Sequence, residues 1–485
     1  MRSGVLEGKL IRTICAVTLI LIGTNTALAS TNEIVMTEEV IKLFERSDDI
    51  QSLLPFSAQN LIYADVDRYP LLSWGGEWVA QAGSKPSGEL DSDIQETHYF
   101  ANEVKLGLNL GVNQYIGSYI DLVWQRTFYA EKASDVGSLA IESAYVNFST
   151  QQQDLQLRIG RQYYEDSRGF VFHDSLDGLH ADASVNWYTW QWQLRLAVAK
   201  HEWISNNLLT KQLSNGDDYQ FLQASTSMGS HNGAVYLLNR YQQSRPNTVQ
   251  REHVLHTGLR GHGVLDAVAI REQPFTYWYE LIYASGTTWQ DNSSRRIKGV
   301  GFDLGLLIPV DHLLSVVANI LPTTWFTAGE DNRFITAYAR GSGDKGGAST
   351  DTRFRQSGLQ LNTGWLGEGG AKLKYYGEIV KPELSNINIS TLGVRFRPSA
   401  QSSIELLWHD YQQDVPSASF FGSGLKALPN GIHSDLGQAW DLVLSYRHID
   451  NLVVELDFAW FQPGNAFPAD KQDIYMIYSE LRYFF

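Results

Sequence analysis

The residues that could do chemistry in this chain are charged side chains set at every second position among apolar ones. Glu103, Asp121, Asp182, Glu280, Asp303, Glu378, Glu405, Glu455 and Asp457 occupy such positions, with Lys105, Arg158, Arg195, Lys374 and Arg395 as opposing bases. Successive strand residues point to opposite faces, so each of these would lie on one face with its apolar neighbours on the other. Mixed charge of that kind lines a hydrated path and holds polar or ionic cargo weakly. Covalent chemistry has a poorer claim. His173, Asp174 and Ser175 are adjacent, so as strand residues they cannot converge as a hydrolase site would need. The glycines between 341 and 347 lack the Lys-Ser/Thr and strand-to-helix setting of a phosphate loop. The 12 histidines show no metal spacing, and nothing calls for a cofactor, a metal or nucleic acid.

The elements behind this pattern read as strands. Val104, Leu106, Leu108 and Leu110 alternate with Glu103, Lys105, Gly107 and Asn109, and Trp192, Leu194, Leu196 and Val198 alternate with Gln191, Gln193, Arg195 and Ala197. Further blocks fall at 179–187, 387–396, 403–411 and 442–446. Segments of about ten residues suit a tilted strand crossing a bilayer. A free sheet edge cannot sit in lipid, so such a sheet must close, apolar outside and wet within. A soluble sandwich would hardly need so many long strands in one array. About nineteen blocks are countable, and the even strand number of bacterial barrels makes eighteen the expectation. The fold class is therefore all-β: a closed transmembrane antiparallel barrel with a polar lumen. Aromatic clusters at 187–192 and 277–279 suit interfacial girdles. The stretches 83–99, 204–218, 286–297, 342–357 and 412–437 read as extracellular loops, and 398–402 as a periplasmic turn.

The chain ends agree. Residues 1–29 read as a signal peptide, with Lys9 and Arg12 before an apolar stretch and Ala27-Leu28-Ala29 at its end. The single cysteine, Cys15, lies inside it, leaving a mature chain without disulfides. Residues 30–70 form a periplasmic N-terminal segment with a short amphipathic stretch, and 71–485 form the barrel. The final strand ends in Phe485, which resembles the C-terminal signal that the assembly machinery of outer-membrane barrels reads. The net charge of −15 becomes more negative without the signal peptide. It is compatible with lipopolysaccharide bridged by divalent cations, and it does not report the lumen.

Several runs resemble the bacterial alginate export porin family: Leu157-Arg-Ile-Gly-Arg-Gln with Glu165-Asp166-Ser167 and Asp174, Ala337-Tyr-Ala-Arg-Gly-Ser-Gly-Asp, Phe354-Arg-Gln-Ser-Gly-Leu-Gln, Gly377-Glu with Pro382-Glu-Leu-Ser-Asn, Gly437-Gln with Asp441-Leu-Val-Leu, and Phe461-Gln-Pro-Gly-Asn-Ala-Phe. They occur in the family's order over roughly residues 100–485, densest toward the C-terminus. The resemblance implies an eighteen-stranded outer-membrane porin that passes alginate outward. Its lumen arginines would pair with sugar carboxylates, and periplasmic scaffold proteins would deliver the chain. It carries over Arg161 and Arg340, with Asp174 as an acid among the arginines and Lys381 where arginine is frequent. Glu142, Glu455 and Asp457 fall where the alginate transporter has arginines. Either they repel a polyanion in a narrow field-focusing lumen, or Arg395, Arg397, Lys372 or Lys374 neutralise them.

The function expected is an outer-membrane porin or exporter giving passive passage to a polar polysaccharide or oligosaccharide. The alternative is a general or uptake porin with a more acidic lumen for neutral or cationic solutes. A barrel-scaffolded adhesin or hydrolase is a third, more distant reading.

Overall fold

The computed structural model describes residues 71–485 apart from 87, 91–96, 131–134, 152–153, 167, 188–189, 202, 206, 210–215, 243–250, 271–272, 291–292, 311–331, 348, 366–370, 400 and 448–450. The signal peptide and the segment 30–70 lie outside the described residues.

Every described element is a strand or a turn. The first twelve strands are β1 (Leu71–Lys85), β2 (Thr97–Asn113), β3 (Ile116–Tyr129), β4 (Val136–Ser149), β5 (Leu155–Glu165), β6 (His173–Trp187), β7 (Trp190–His201), β8 (Asp218–Met228), β9 (His231–Gln242), β10 (Arg251–Ile270), β11 (Gln273–Gln290) and β12 (Ser293–Pro309). There follow β13 (Arg333–Gly341), three short pieces β14 (Thr350–Asp351), β15 (Thr363–Trp365) and β16 (Lys372–Lys374), then β17 (Ile387–Ser399), β18 (Ser402–Gln412), β19 (Asp435–Tyr446), β20 (Leu452–Pro463) and β21 (Ile474–Phe484).

Each long strand pairs antiparallel with its neighbours in sequence, β13 skipping the short pieces to reach β17. The last strand returns to the first, Glu77 opposite Phe484 through Gly83 opposite Tyr478. The wall is thus an eighteen-stranded antiparallel barrel that closes on itself, as lipid demands of backbone N–H and C=O groups. Tiny β14 rides parallel on β12, and β15 pairs only with β16.

The alternation sorts the faces as the sequence predicts. Leu106, Leu108 and Leu110 on β2, and Leu194, Leu196 and Val198 on β7, turn outward and are exposed, whereas Arg195, Ala197 and Ala199 turn inward. Three expectations need correction. Residues 286–297 are mostly wall, because β11 runs to Gln290 and β12 resumes at Ser293. Trp278 belongs to no girdle: it is buried on the lumen face, its indole N–H donating to Asp303 at 2.9 Å. Lys374 and Glu378 stand on the chain between β13 and β17 and not on a wall strand. Gly377 at φ 92° and Lys381 at φ 42° break extended geometry there.

One seam interrupts the wall. β4 and β5 share six register pairs, from Ala144–Arg161 to Ser149–Gln156, and among the described residues β4 above them has a strand partner only in β3. Gly160, at φ 132°, marks the divergence, and a Cβ there would stand 2.2 Å from the Ala144 carbonyl oxygen. The connection after β7 bridges the gap. Leu208 N–H donates to the Leu139 carbonyl at 2.7 Å, Asn207 accepts from Leu139 N–H at 3.4 Å, and Ile204 N–H donates to Asp177 at 2.9 Å.

Candidate pore interior

The connections at one end fold into the lumen. Residues 168–172, 351–365, 371–386 and 420–427 supply Phe170, Phe172, Phe354, Leu359, Leu373, Tyr376, Val380, Leu384 and Leu425 to a buried cluster. The lumen-facing Phe221, Tyr236, Val254, Trp278, Ile297 and Ile335 of the wall complete it. Small and apolar lumen residues on β7–β13 are explained by this plug, which needs a dry bed.

Ionic anchors fix the plug. Arg168 donates to Asp303 at 2.8 Å, and its guanidinium lies 3.7 Å from the centroid of Tyr375 and 4.5 Å from that of Trp278. The Tyr376 hydroxyl donates to the same Asp303 at 2.9 Å. Arg260 lies 3.3 Å from Glu280 and 3.5 Å from Asp166, and Glu280 also accepts from the Tyr236 hydroxyl. Asp166 accepts the N–H groups of Phe170, Val171 and Phe172, which shapes the tip that crosses the lumen. On β18 the Tyr411 hydroxyl donates to the Tyr376 carbonyl at 3.0 Å.

The opposite side, where β20, β21 and β1–β4 meet, carries a second set of ion pairs among the described residues. Lys105 reaches Glu77 at 3.3 Å, Glu142 at 3.4 Å and Glu103 at 3.7 Å. Arg482 reaches Glu480 at 2.7 Å and Glu77 at 3.4 Å. Lys105 and Arg482 keep 21% and 31% of their side-chain surface accessible, against 7% and 2% for Arg260 and Asp303. Lys105 and Arg482 thus mark an aisle of partly accessible charge along this side.

The candidate residues divide between these regions. Glu142 is held by Lys105, and neither Glu455 nor Asp457 has an ion-pair partner among the described residues. The bases offered to them are engaged elsewhere: Arg395 with Glu405 at 3.3 Å, Lys372 with Glu165 at 3.0 Å, and Lys374 with the Thr363 hydroxyl at 3.2 Å. Asp457 is 3% exposed, and one of its oxygens has no hydrogen bond. Glu378 accepts from Lys374 N–H at 3.1 Å and lies 3.8 Å from the Lys381 ammonium. Arg195 donates to Asp182 at 3.1 Å, and Arg158 lies over Tyr145 nearby on β5.

Arg161 does not join them. It pairs with Asp177 at 3.1 Å and donates to the Ile204 carbonyl at 3.0 Å, so it locks the seam. Asp174 meets His201 at 3.0 Å while His173 turns to Glu165 at 3.4 Å, so the adjacent trio serves separate partners. Arg340 alternates with inward Ala339 and pairs with Asp414 at 2.7 Å on the rim.

Sequence reasoning missed Glu77, Glu480 and Arg482, although Tyr478, Glu480 and Arg482 alternate with Ile477, Ser479 and Leu481 in the last strand. Arg168, Arg353 and Arg355 carried no periodic signal, being on connections.

A closed eighteen-stranded cylinder with a lipid-facing apolar exterior, a charged lumen and an inner plug defines an outer-membrane porin-type barrel. The sequence profile described as Alginate export matches residues 71–478, and the chain belongs to that family. It is 26% identical over 221 residues to the alginate production protein AlgE of Pseudomonas aeruginosa and 27% over 160 residues to that of Azotobacter vinelandii. The alignments cover 40% and 28% of this chain and 41% and 32% of those proteins, so the chain spans well under half the length of the curated relatives it matches. Among solved structures, the outer membrane protein OprD of Pseudomonas aeruginosa aligns with a TM-score of 0.50 at 10% identity, over 85% of this chain and 94% of that one. OccD3 (OpdP) of the same organism aligns with a TM-score of 0.50 at 8% identity, over 90% and 97%. These likenesses show the shared barrel fold.

Proposed function

We propose that this protein is an outer-membrane exporter giving passive passage to a polar polysaccharide of the alginate type. The observation that carries the reading is the aisle of ion pairs along β1–β4 and β20–β21, where Lys105 and Arg482 keep 21% and 31% of their side-chain surface beside a plug packed against the other side of the lumen. Lys105, Glu142, Glu455, Arg482 and the inner Lys374 line the path in this reading. Arg395, Asp457 and Glu378 form its buried bed, with Arg158 and Arg195 on the β5–β7 side. Arg161 and Asp174 stabilise the wall beside it. Residues 1–29 direct export, the barrel assembly machinery inserts the mature chain beneath lipopolysaccharide, and a periplasmic scaffold hands over the cargo. The test is planar-bilayer recording with oligouronates added from the side of the short turns. Concentration-dependent blockade is expected, and a barrel that ignores every oligosaccharide overturns the reading.

Glu455 and Asp457, lacking ion pairs, favour a second reading in which the same aisle passes neutral or cationic solutes. A reversal potential showing strong cation preference, with neutral oligosaccharides blocking and oligouronates inert, would select it.

A further inference from the structure

The outer wall changes character near one end of β11 and β12. Along the outward face of β12, Leu306, Leu304, Phe302 and Val300 give way to Lys298 and Arg296, both exposed. On β11 the same face passes from Leu281 and Tyr283 to Ser285 and Thr287, which stand opposite Lys298 and Arg296 in register. One row further on, Trp289 faces Ser294. The change falls at the end carrying the connections 342–386 and 413–434. Long connections of such barrels face the cell surface, so the two cations meet the headgroup layer of the outer leaflet, directly above the hydrocarbon. A charge at that depth costs little to hold.

Their lack of counter-ions sets these two cations apart. Other outward bases toward this end are matched by acids: Arg126 donates to Asp135 at 2.8 Å, Lys200 to Asp218 at 3.4 Å and Arg340 to Asp414 at 2.7 Å. The side chains of Arg296 and Lys298 have no hydrogen bond or ion pair among the described residues. No carboxylate stands on the outward face of β11, β12 or β13 among them either. The outward rim of β18–β21, by contrast, carries Asp410 and Asp473, the latter accepting from the Trp460 indole at 3.1 Å. In a chain of net charge −15, one arc of the outer rim is therefore cationic.

A guanidinium and an ammonium two residues apart on one strand face suit phosphate oxygens, the first as a fork and the second as a point charge. Trp289 above them offers a flat face to a sugar ring, and Tyr283 and Val300 below them offer apolar surface to acyl chains. Phosphate, sugar and acyl chain stacked in that order describe a phosphorylated glycolipid. We propose that the outward face of β11 and β12 is a binding site for the phosphorylated headgroup of one lipopolysaccharide molecule of the surrounding leaflet, held by Arg296 and Lys298. The site is independent of what the lumen carries.

Native mass spectrometry of the whole barrel released from detergent tests this, with a chelator present to remove divalent bridging to the acidic rim. The probes are bisphosphorylated lipid A, its dephosphorylated form and phosphatidylglycerol. The parent should retain bisphosphorylated lipid A in preference to both other lipids by roughly tenfold, the worth of a charge-assisted contact. Arg296→Gln combined with Lys298→Gln should abolish that preference, and Arg296→Lys should keep part of it. Arg126→Gln, which removes a base already paired, should match the parent. An unchanged heat-induced gel-mobility shift verifies the fold of each variant. Should the double variant fail that check, each single Gln variant should still show a partial loss. Equal retention by the parent and the Gln variants, equal retention of dephosphorylated lipid A, or no preference over phosphatidylglycerol overturns the site.

Discussion

The two sides of the lumen solve the burial of charge in opposite ways. On the plugged side Arg260, Asp303 and Glu280 are buried, Asp303 accepting from Arg168, Trp278 and Tyr376 and Glu280 held by Arg260 and Tyr236. On the β20–β21 and β1–β4 side, one lysine serves three carboxylates, while Glu455 and Asp457 are left without counter-ions. An unpaired charge is strongly disfavoured in a dry site and tolerated in a wet one. Accessibility therefore separates the flanks better than pairing does: Lys105 and Arg482 keep 21% and 31% of their side-chain surface against 7% for Arg260, while unpaired Asp457 is buried at 3%.

The largest expected effect comes from breaking the dry side. Asp303→Asn removes the counter-charge of Arg168 and weakens the acceptor for Trp278 and Tyr376. It should cost about 3–5 kcal/mol as a broken buried pair. Conductance should become noisy and larger as the plug loosens, readable in planar bilayers alongside the heat-induced gel-mobility shift. Next, Leu196→Arg places a cation on the lipid face and should cost about 2–4 kcal/mol in denaturant unfolding from lipid vesicles. Conductance of the surviving barrels should be unchanged, because the lumen is untouched. A smaller change should follow Glu142→Gln on the more accessible side: cation-over-anion permeability should fall by roughly twofold as focused negative field is removed. A reversal potential indifferent to that change would erase the contrast between the sides. Smallest is Arg340→Ala. Its half-exposed rim pair with Asp414 should be worth about 0–1 kcal/mol, within error of the parent in the same unfolding assay.

Period two made the wall legible in the sequence, because lipid outside and water inside impose the same alternation on every strand. Leu194, Leu196 and Val198 were assigned outward and Arg195 inward on that ground alone. The plug was not legible. Phe354, Tyr376 and Leu384 lie on connections whose polar composition reads as surface loop, and no local rule states that a loop folds back inside its own barrel. Lys374 and Glu378 were misplaced for that reason, their spacing imitating a strand. Arg161 shows a different limit: its motif was recognisable, yet Gly160 turns the chain there, so the side chain serves the seam. Trp278 was counted with the girdle because aromatics cluster at 277–279, whereas parity separates it from Tyr277 and Tyr279.

The six-pair contact between β4 and β5, strapped by Asn207 and Leu208, has a mechanical meaning. Hoop tension in a cylinder is carried by its weakest junction, and β11 and β12 share fifteen register pairs where these strands share six. A thick cargo, or compression by the surrounding bilayer, will strain the ring at that junction first. Amide exchange at Leu139 and Leu208 should outrun exchange at Ile282 by orders of magnitude, as expected of the element of lowest opening energy.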